Sequence, residues 1–210
     1  MQPLFITGIG TGVGKTIVSA IVTEALQANY WKPIQAGFED GTDALQVASL
    51  ISNSQTIIQP EVYKLVLPAS PHIAAKQEGI SINLNHIKEQ LPNTFGKPLI
   101  IEGAGGIMVP LNEQAFVIDL IKQLNAKVIL VSRNYLGSIN HSLLTAMACK
   151  QYGIDVLGWI FNDPFMNYED EIVQWSGYPK IASIPLAETL DRHFVQQQAE
   201  QVRLFLQHWL

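Results

Sequence analysis

The chain has 210 residues, 48% of them hydrophobic, and its 13 Lys and Arg against 18 Asp and Glu give a net charge of -5 and a pI near 5.5. A chain of this length buries roughly 70% of its unfolded surface, enough for one substantial core, so a single domain over residues 1–210 is expected. The acidic balance, with arginine only at Arg133, Arg192 and Arg203, excludes a protein that holds nucleic acid by charge, and no apolar run approaches the roughly 20 residues that span a bilayer.

Leu4 to Thr7 reads as a buried strand and Ile17 to Ala28 as a helix. Between them stands Gly8-Ile-Gly-Thr-Gly-Val-Gly-Lys-Thr16. Its glycines let successive backbone N–H groups turn toward phosphate oxygens, Lys15 adds a cation near the terminal phosphates, and Thr16 offers a hydroxyl to Mg2+ at the helix N-terminus. Residues Gly12, Val13, Gly14, Lys15, Thr16 and Ile17 form that cradle for a nucleoside triphosphate. The usual spacing leaves four residues between the first glycine and Gly-Lys-Thr, whereas Gly8 leaves five and Gly10 three. The first thirty residues lack the cationic start and apolar core of a signal peptide, which points to the cytoplasm.

A short strand is expected over Tyr30 to Gln35, linked almost directly to the first helix. It carries Lys32, either a solvated lysine or a charge clamp for an anion that develops during reaction. Asp43 opens a helix over Asp43 to Ile51, as an acid favoured by the helix dipole or as a metal carboxylate. Ser52 to Asn93, the least regular stretch, should pack beside the sheet, with a helix starting at Ser70-Pro71, Ser as N-cap and Pro in the first turn.

Pro98 to Ile101 reads as a buried strand ending in Glu102, followed by a turn of Gly103, Ala104, Gly105 and Gly106. That pattern suits a carboxylate reaching Mg2+ and N–H groups approaching phosphate, or else a polar strand end before a flexible turn. A helix over Val117 to Leu124 and a strand over Lys127 to Val131 follow. Gly137 and Ser138 then open a helix, Ile139 to Tyr152, whose N-terminus offers N–H groups to an anion as any helix does. Cys149 stands alone, so no internal disulfide forms, and it reads as a small buried residue.

Val156 to Phe161 forms a further strand and ends at Asn162, whose amide both donates to and accepts from a base edge, with Asp163 next. Lys180 to Ile184 is the last strand. Phe194 to Trp209 is the last helix, its Val202, Phe205, Leu206 and Trp209 set to pack on the core or on a second subunit. His72, His86, His141, His193 and His208 show no zinc-type pairing on one helix. The alternation gives an α/β fold, a mostly parallel sheet flanked by helices and of P-loop NTPase type, with ligands at the carboxyl ends of the strands.

Taken together these segments resemble the dethiobiotin synthetase family over nearly the whole chain. The marks are the widened loop Gly8 to Thr16, Lys32-Pro-Ile-Gln-Ala-Gly37, Thr42-Asp-Ala-Leu45, Ser70-Pro-His72, and Glu102-Gly-Ala-Gly-Gly106 with Val109-Pro-Leu111. Arg133 followed by Leu136-Gly-Ser-Ile-Asn-His141, then Gly158-Trp-Ile-Phe-Asn-Asp163, and Ile184-Pro-Leu186 complete them in order.

The resemblance implies a cytoplasmic homodimer that converts 7,8-diaminononanoate, CO2 and MgATP to dethiobiotin, ADP and phosphate, through a carbamate and its phosphoric anhydride. It implies that Lys15 holds the terminal phosphate and that Lys32 serves the carbamate and the transferring phosphoryl group. It gives the Mg2+ to Thr16, Asp43 and Glu102, with Gly103, Ala104 and Gly105 beside the nucleotide. Asn162, Asp163, Pro185 and Leu186 frame the adenine, Ala36 lies by the carbamate, and Gly137, Ser138, Ile139 and Asn140 bind the substrate carboxylate across the subunit interface. Two departures stand out: Ala36 replaces a hydroxyl residue that many relatives carry, with Gln35 or water to take its part, and Gly12 replaces a Glu found in some.

The rival readings are a switch ATPase of the partitioning or division-site kind and a small-molecule kinase. The first usually carries an extra lysine early in the loop, absent from Gly8 to Val13, and the second an arginine-bearing lid, for which three scattered arginines leave little material.

Overall fold

The computed structural model describes residues 2–207. Strands β1 (Leu4–Gly8), β2 (Asn29–Trp31), β3 (Ile34–Ala36), β4 (Ile58–Gln59), β5 (Tyr63–Leu65), β6 (Leu99–Gly106), β7 (Lys127–Arg133), β8 (Val156–Asn162) and β9 (Lys180–Ile184) form two sheets. The larger has the order β4-β2-β6-β1-β7-β8-β9, the smaller pairs β3 with β5, and the strand pairings are parallel. Helices α1 (Lys15–Leu26), α2 (Asp43–Leu50), α3 (Pro71–Gln77), α4 (Leu84–Glu89), α5 (Val117–Gln123), α6 (Ser138–Gln151), α7 (Glu169–Ser176) and α8 (Arg192–Leu206) provide most of the crossovers.

Parallel strands covered by helices on both sides must be apolar on both faces, which is why these segments read as continuous hydrophobic runs. On one face Phe5, Ile101, Leu130, Trp159 and Phe161 pack with Ile118, Cys149 and Ile172 of α5, α6 and α7. On the other, Ile6, Ile100, Ile129 and Ile160 pack with Val18, Ile21 and Val22 of α1 and with Val195, Ala199 and Val202 of α8. Each such side chain contributes roughly 1.5–3 kcal/mol through burial, and cutting fully buried Ile21 to alanine is expected to cost about 2–5 kcal/mol.

The strands over Leu4, Lys127, Val156 and Lys180 and the helices over Asp43, Val117 and Ser138 lie within two residues of expectation. The link from α1 to β2 is short as expected, Gln27 and Ala28, with Gln27 left-handed at φ 48°. Two readings of the strands need correction. Tyr30 to Gln35 is not one strand: Pro33 has no N–H for a ladder, and the chain leaves β2 in the main sheet to start β3 in the small one. Residues Gly103 to Gly106 are not a turn after a strand but the second half of β6. There Gly8 faces Gly106 past an irregularity in the ladder, and a side chain on Gly103 would meet the Phe5 ring at 2.6 Å.

The irregular stretch does more than sit beside the sheet. It supplies β4 as the edge strand of the large sheet and β5 to the small one. Helix α3 does begin at Pro71, but the Ser70 hydroxyl pairs with His72 Nδ1 at 3.0 Å instead of capping the helix. In α8, Val202 and Leu206 are buried against the α1 side of the sheet; Trp209 and His208 lie outside the described residues.

Candidate active site

The carboxyl ends of the parallel strands share one edge, and β1 delivers the glycine loop there. Positive φ at Gly12 (73°) and Gly14 (88°) turns the chain into α1, a conformation that costs a side-chain-bearing residue strain. Val13 folds back so that a side chain on Gly8 would meet its Cγ2 at 2.5 Å. The buried Lys15 ammonium donates to Gly10 O at 2.8 Å, a carbonyl of its own loop. Burial pushes the Lys15 pKa down to about 8, against the upward pull of Glu102.

β2 and β6 set the next group by register. Tyr30 lies opposite Ile100 and Trp31 opposite Ile101, so the chain beyond β2 carries Lys32 toward Glu102. Lys32 Nζ sits 2.8 Å from Glu102 Oε1 and 2.6 Å from Asp43 Oδ2. Burial opposes the ammonium, but the Glu102 and Asp43 carboxylates outweigh it and hold the Lys32 pKa above its ordinary value. Burial likewise opposes the Asp43 carboxylate, and Lys32 wins there too, holding that pKa below the usual range. The Thr16 hydroxyl lies 2.5 Å from Asp43 Oδ1 and 3.1 Å from Glu102 Oε1. Three hard oxygen groups therefore converge, a donor set suited to a small divalent cation.

Asp43 keeps both of the roles open to it. It is the first residue of α2, capped by Thr42 Oγ1 accepting from Leu45 N at 3.2 Å, and its carboxylate still turns to Thr16 and Lys32. Gln35 serves structure: its Oε1 accepts from Asp43 N and its Nε2 donates to Gly37 O. Each end of that amide keeps one further hydrogen-bonding position, and Gln35 lines the cleft beside Ala36.

A cleft of about 690 Å³ joins Gly12, Lys15, Thr16, Lys32, Ala36, Asp43, Glu102, Ala104 and Gly105. Gly103 lies behind it under Phe5. Tyr30 escaped the sequence reading because its place follows from the register of β2 beside β6, which local pattern does not encode. Its buried hydroxyl donates to Glu102 Oε2 at 2.8 Å, and burial, reinforced by Glu102, raises its pKa well above the ordinary value. Pro68, Ala69 and Ser70 form the far wall, a contribution of the irregular stretch in which Ser70 alone belongs to a segment singled out in the sequence.

The expected base-framing residues lie at the same edge, outside the lining of this cleft. Asn162 ends β8 and donates from Nδ2 to Val13 O at 2.6 Å. Asp163 follows in a left-handed conformation (φ 66°) and pairs with Arg133 at 3.4 Å, while Pro185 and Leu186 are exposed just beyond β9.

The Gly137 to Asn140 turn is not part of the cleft within this chain. It opens α6 with Gly137 at φ 102°. Ser138 is buried, its hydroxyl bonded to Tyr168 Oη at 2.7 Å, whereas Asn140 is exposed. Beside the turn, Leu136, Leu144, Met147 and Met108 are exposed, and a smaller hollow of about 310 Å³ is lined by Ile9, Gly10, Met108, His141 and Leu144.

A family profile described as an AAA domain matches residues 2–193. The chain is 50% identical to the ATP-dependent dethiobiotin synthetase BioD of Cytophaga hutchinsonii over 98% of each chain. It is 47% identical to the protein of the same name from Christiangramia forsetii over 95% of each. In fold it is similar to a MinC:MinD cell division protein complex from Aquifex aeolicus, with a TM-score of 0.62 at 14% identity, covering 100% of this chain and 96% of that one. The last likeness shows a P-loop ATPase architecture.

Proposed function

The chain belongs to the dethiobiotin synthetases, ATP-dependent ligases of biotin biosynthesis, and from that membership we propose that it carboxylates and closes 7,8-diaminononanoate with CO2 to give dethiobiotin, ADP and phosphate. The observation that carries this reading is the convergence of two lysines, Lys15 and Lys32, with Thr16, Asp43 and Glu102 in one cleft beneath the glycine loop.

A carbamate is a poor electrophile until one of its oxygens becomes a phosphate leaving group. In the proposed sequence one substrate amine captures CO2, the carbamate oxygen takes the γ-phosphoryl group of ATP, and the second amine attacks the anhydride carbon to expel phosphate. Such phosphoryl transfer depends on positioning and cations more than on a covalent catalyst. Lys15 holds the terminal phosphate, exchanging Gly10 O for a phosphate oxygen, and an anion there restores the affinity for protons that burial removed. Lys32 neutralises charge on the carbamate and the transferring group.

Thr16, Asp43 and Glu102 would hold Mg2+, which shields phosphate charge when bound. The Asp43 and Glu102 carboxylates already share one cation, the Lys32 ammonium, and the Thr16 hydroxyl donates to both, which supports the fit. Gly12 to Ile17 and Gly103 to Gly105 cradle the triphosphate, Asn162, Asp163, Pro185 and Leu186 border the adenine, and Ala36 faces the reacting carbamate. The exposed apolar side chains around α6 support a homodimer in which Gly137, Ser138, Ile139 and Asn140 of one subunit bind the substrate carboxylate beside the cleft of the other. We place this chemistry in one domain and in the cytoplasm; the large sheet draws on strands from Leu4 to Ile184, and among the described residues no helix is long and apolar enough to cross a membrane.

The test is ADP release with MgATP and bicarbonate, with and without 7,8-diaminononanoate. Turnover that needs the diamine and yields dethiobiotin supports the reading, and diamine-independent hydrolysis as the sole activity overturns it. The 50% identity over nearly the full chain favours synthesis over the switch ATPase, a likeness that extends to fold alone.

A further inference from the structure

Asn162 is tied to the phosphate loop across 149 residues of sequence. Its Nδ2 donates to Val13 O at 2.6 Å, which fixes the orientation of the amide: with nitrogen and oxygen exchanged, two acceptor oxygens would face each other at that distance. A side chain on Gly14 would meet the same nitrogen at 2.5 Å. The amide thus packs against the left-handed N-cap from which α1 begins. Its own base is stiff, because Asn162 pairs in register with Arg133 and its carbonyl accepts from Asn134 N at 3.0 Å. Oδ1 finds no donor among the described residues, so one end of the amide is committed to the loop and the other is left to a ligand.

We propose that Asn162 is a positioning residue of the phosphate loop: its amide holds Val13 and Gly14 in the cradle conformation from the end of β8, and so couples occupation of the base site to the shape of the triphosphate site. Resting on the assignment of this loop to phosphate, the proposal goes further by giving a residue of the base site a second duty that does not require a base. Removing the amide leaves a carbonyl in the loop without its donor, and the loop gains conformations in which its N–H groups no longer converge.

Magnesium tripolyphosphate, which has no base or ribose, separates the two duties. Binding of this probe and of MgATP is measured by calorimetry for the wild type, Asn162→Ala and the isosteric Asn162→Asp, which has no N–H to give Val13 O. The expected result is a loss of about tenfold or more in affinity for both ligands in each variant. Hydrogen exchange at Gly14, Lys15 and Thr16 should quicken several-fold in the ligand-free variants, while exchange in β8 and the melting temperature stay close to wild type; this reports on the loop without any ligand. KM for ATP should rise and kcat fall together, since a misplaced triphosphate reacts poorly as well as binding poorly.

Loss of MgATP affinity with unchanged tripolyphosphate affinity and unchanged loop exchange overturns the proposal and leaves Asn162 a contact for the base alone. Wild-type protein that binds neither ligand overturns the phosphate-loop assignment itself.

Discussion

Lys32 and Glu102 lie 70 residues apart in the chain and meet as a buried ion pair, Nζ to Oε1 at 2.8 Å, with Asp43 closing on the same ammonium from α2. The lysine balances two carboxylates that, under the proposed function, would hold Mg2+. Its removal should therefore be felt twice. Lys32→Ala is expected to leave ATP affinity nearly intact while turnover falls by 100-fold or more on the order of a lost charge stabiliser. In metal-free buffer the variant should also be less stable by about 3 kcal/mol, the scale of a buried pair that has lost one partner, and Mg2+ should return much of that loss. Single-turnover kinetics and melts with and without Mg2+ check both; normal chemistry with failed ATP binding would remove Lys32 from the reacting centre.

Glu102→Gln keeps the shape of the β6 residue but should weaken the proposed hard-cation site. The Mg2+ concentration for half-maximal rate is expected to rise at least tenfold. The new amide must also face the Tyr30, Thr16 and Lys32 donors, at a cost of about 1–3 kcal/mol in stability. An unchanged Mg2+ titration would take Glu102 out of the metal site.

Lys15→Ala should abolish synthesis with little effect on folding, because among the described residues the ammonium hydrogen-bonds only to Gly10 O and, under the proposed function, its charge serves the phosphates. Turnover at the wild-type rate in this variant would refute the role of the loop.

Subunit exchange tests the shared site. Lys15→Ala and Asn140→Asp, the latter setting a negative charge against the substrate carboxylate, are each expected to give a nearly inactive homodimer. Mixed and re-equilibrated, they should recover about a quarter of wild-type activity, since half of the dimers are mixed and one of two sites in each takes its loop and its turn from intact chains. Verified mixed dimers as inactive as the parents would place both elements in one subunit.

Burial pushes the Cys149 thiol up to about 12. The raised value favours the protonated form in the folded state, so this residue's contribution is fully present below pH 9, the ordinary thiol value, and declines as pH rises toward 12. Native protein at pH 8 should resist alkylation that proceeds readily after unfolding. Between pH 9 and 11 the wild type should lose stability relative to Cys149→Ala, a difference visible in paired denaturant titrations.

The parts of the fold legible in the sequence were those where one pattern had one physical meaning. Buried parallel strands such as Leu130 and Val131 in β7 are apolar on both faces, and the glycine loop announces itself by composition. The break at Pro33 was less visible, because a strand that changes sheets keeps the same apolar character on either side of the step. β6 was cut short because glycines read as a turn, while here they allow Gly106 and Gly8 to approach. α7 was missed despite Glu169, Asp170 and Glu171 in its first turn, since its apolar side is narrow. Among the site residues, Lys15, Thr16 and Glu102 follow from motifs, whereas Tyr30 and the Pro68 wall follow from register and tertiary packing, which local pattern does not encode.

The strand order has a bearing on biosynthesis. β1 precedes the other strands in the sequence, yet its neighbours in the sheet are β6 and β7, which end at Gly106 and Arg133. Parallel pairings over such separations are slow to form, because the intervening chain must be ordered before any ladder bond rewards it. A nascent chain that has emerged only as far as Ile58 therefore carries a hydrophobic strand with two bare edges, the kind of segment that draws chaperones. If Asn162 positions the glycine loop as proposed, that loop, although it lies between Gly8 and Thr16, would settle only after β8 brings Asn162 against Val13, and nucleotide binding should appear on the ribosome late and all at once.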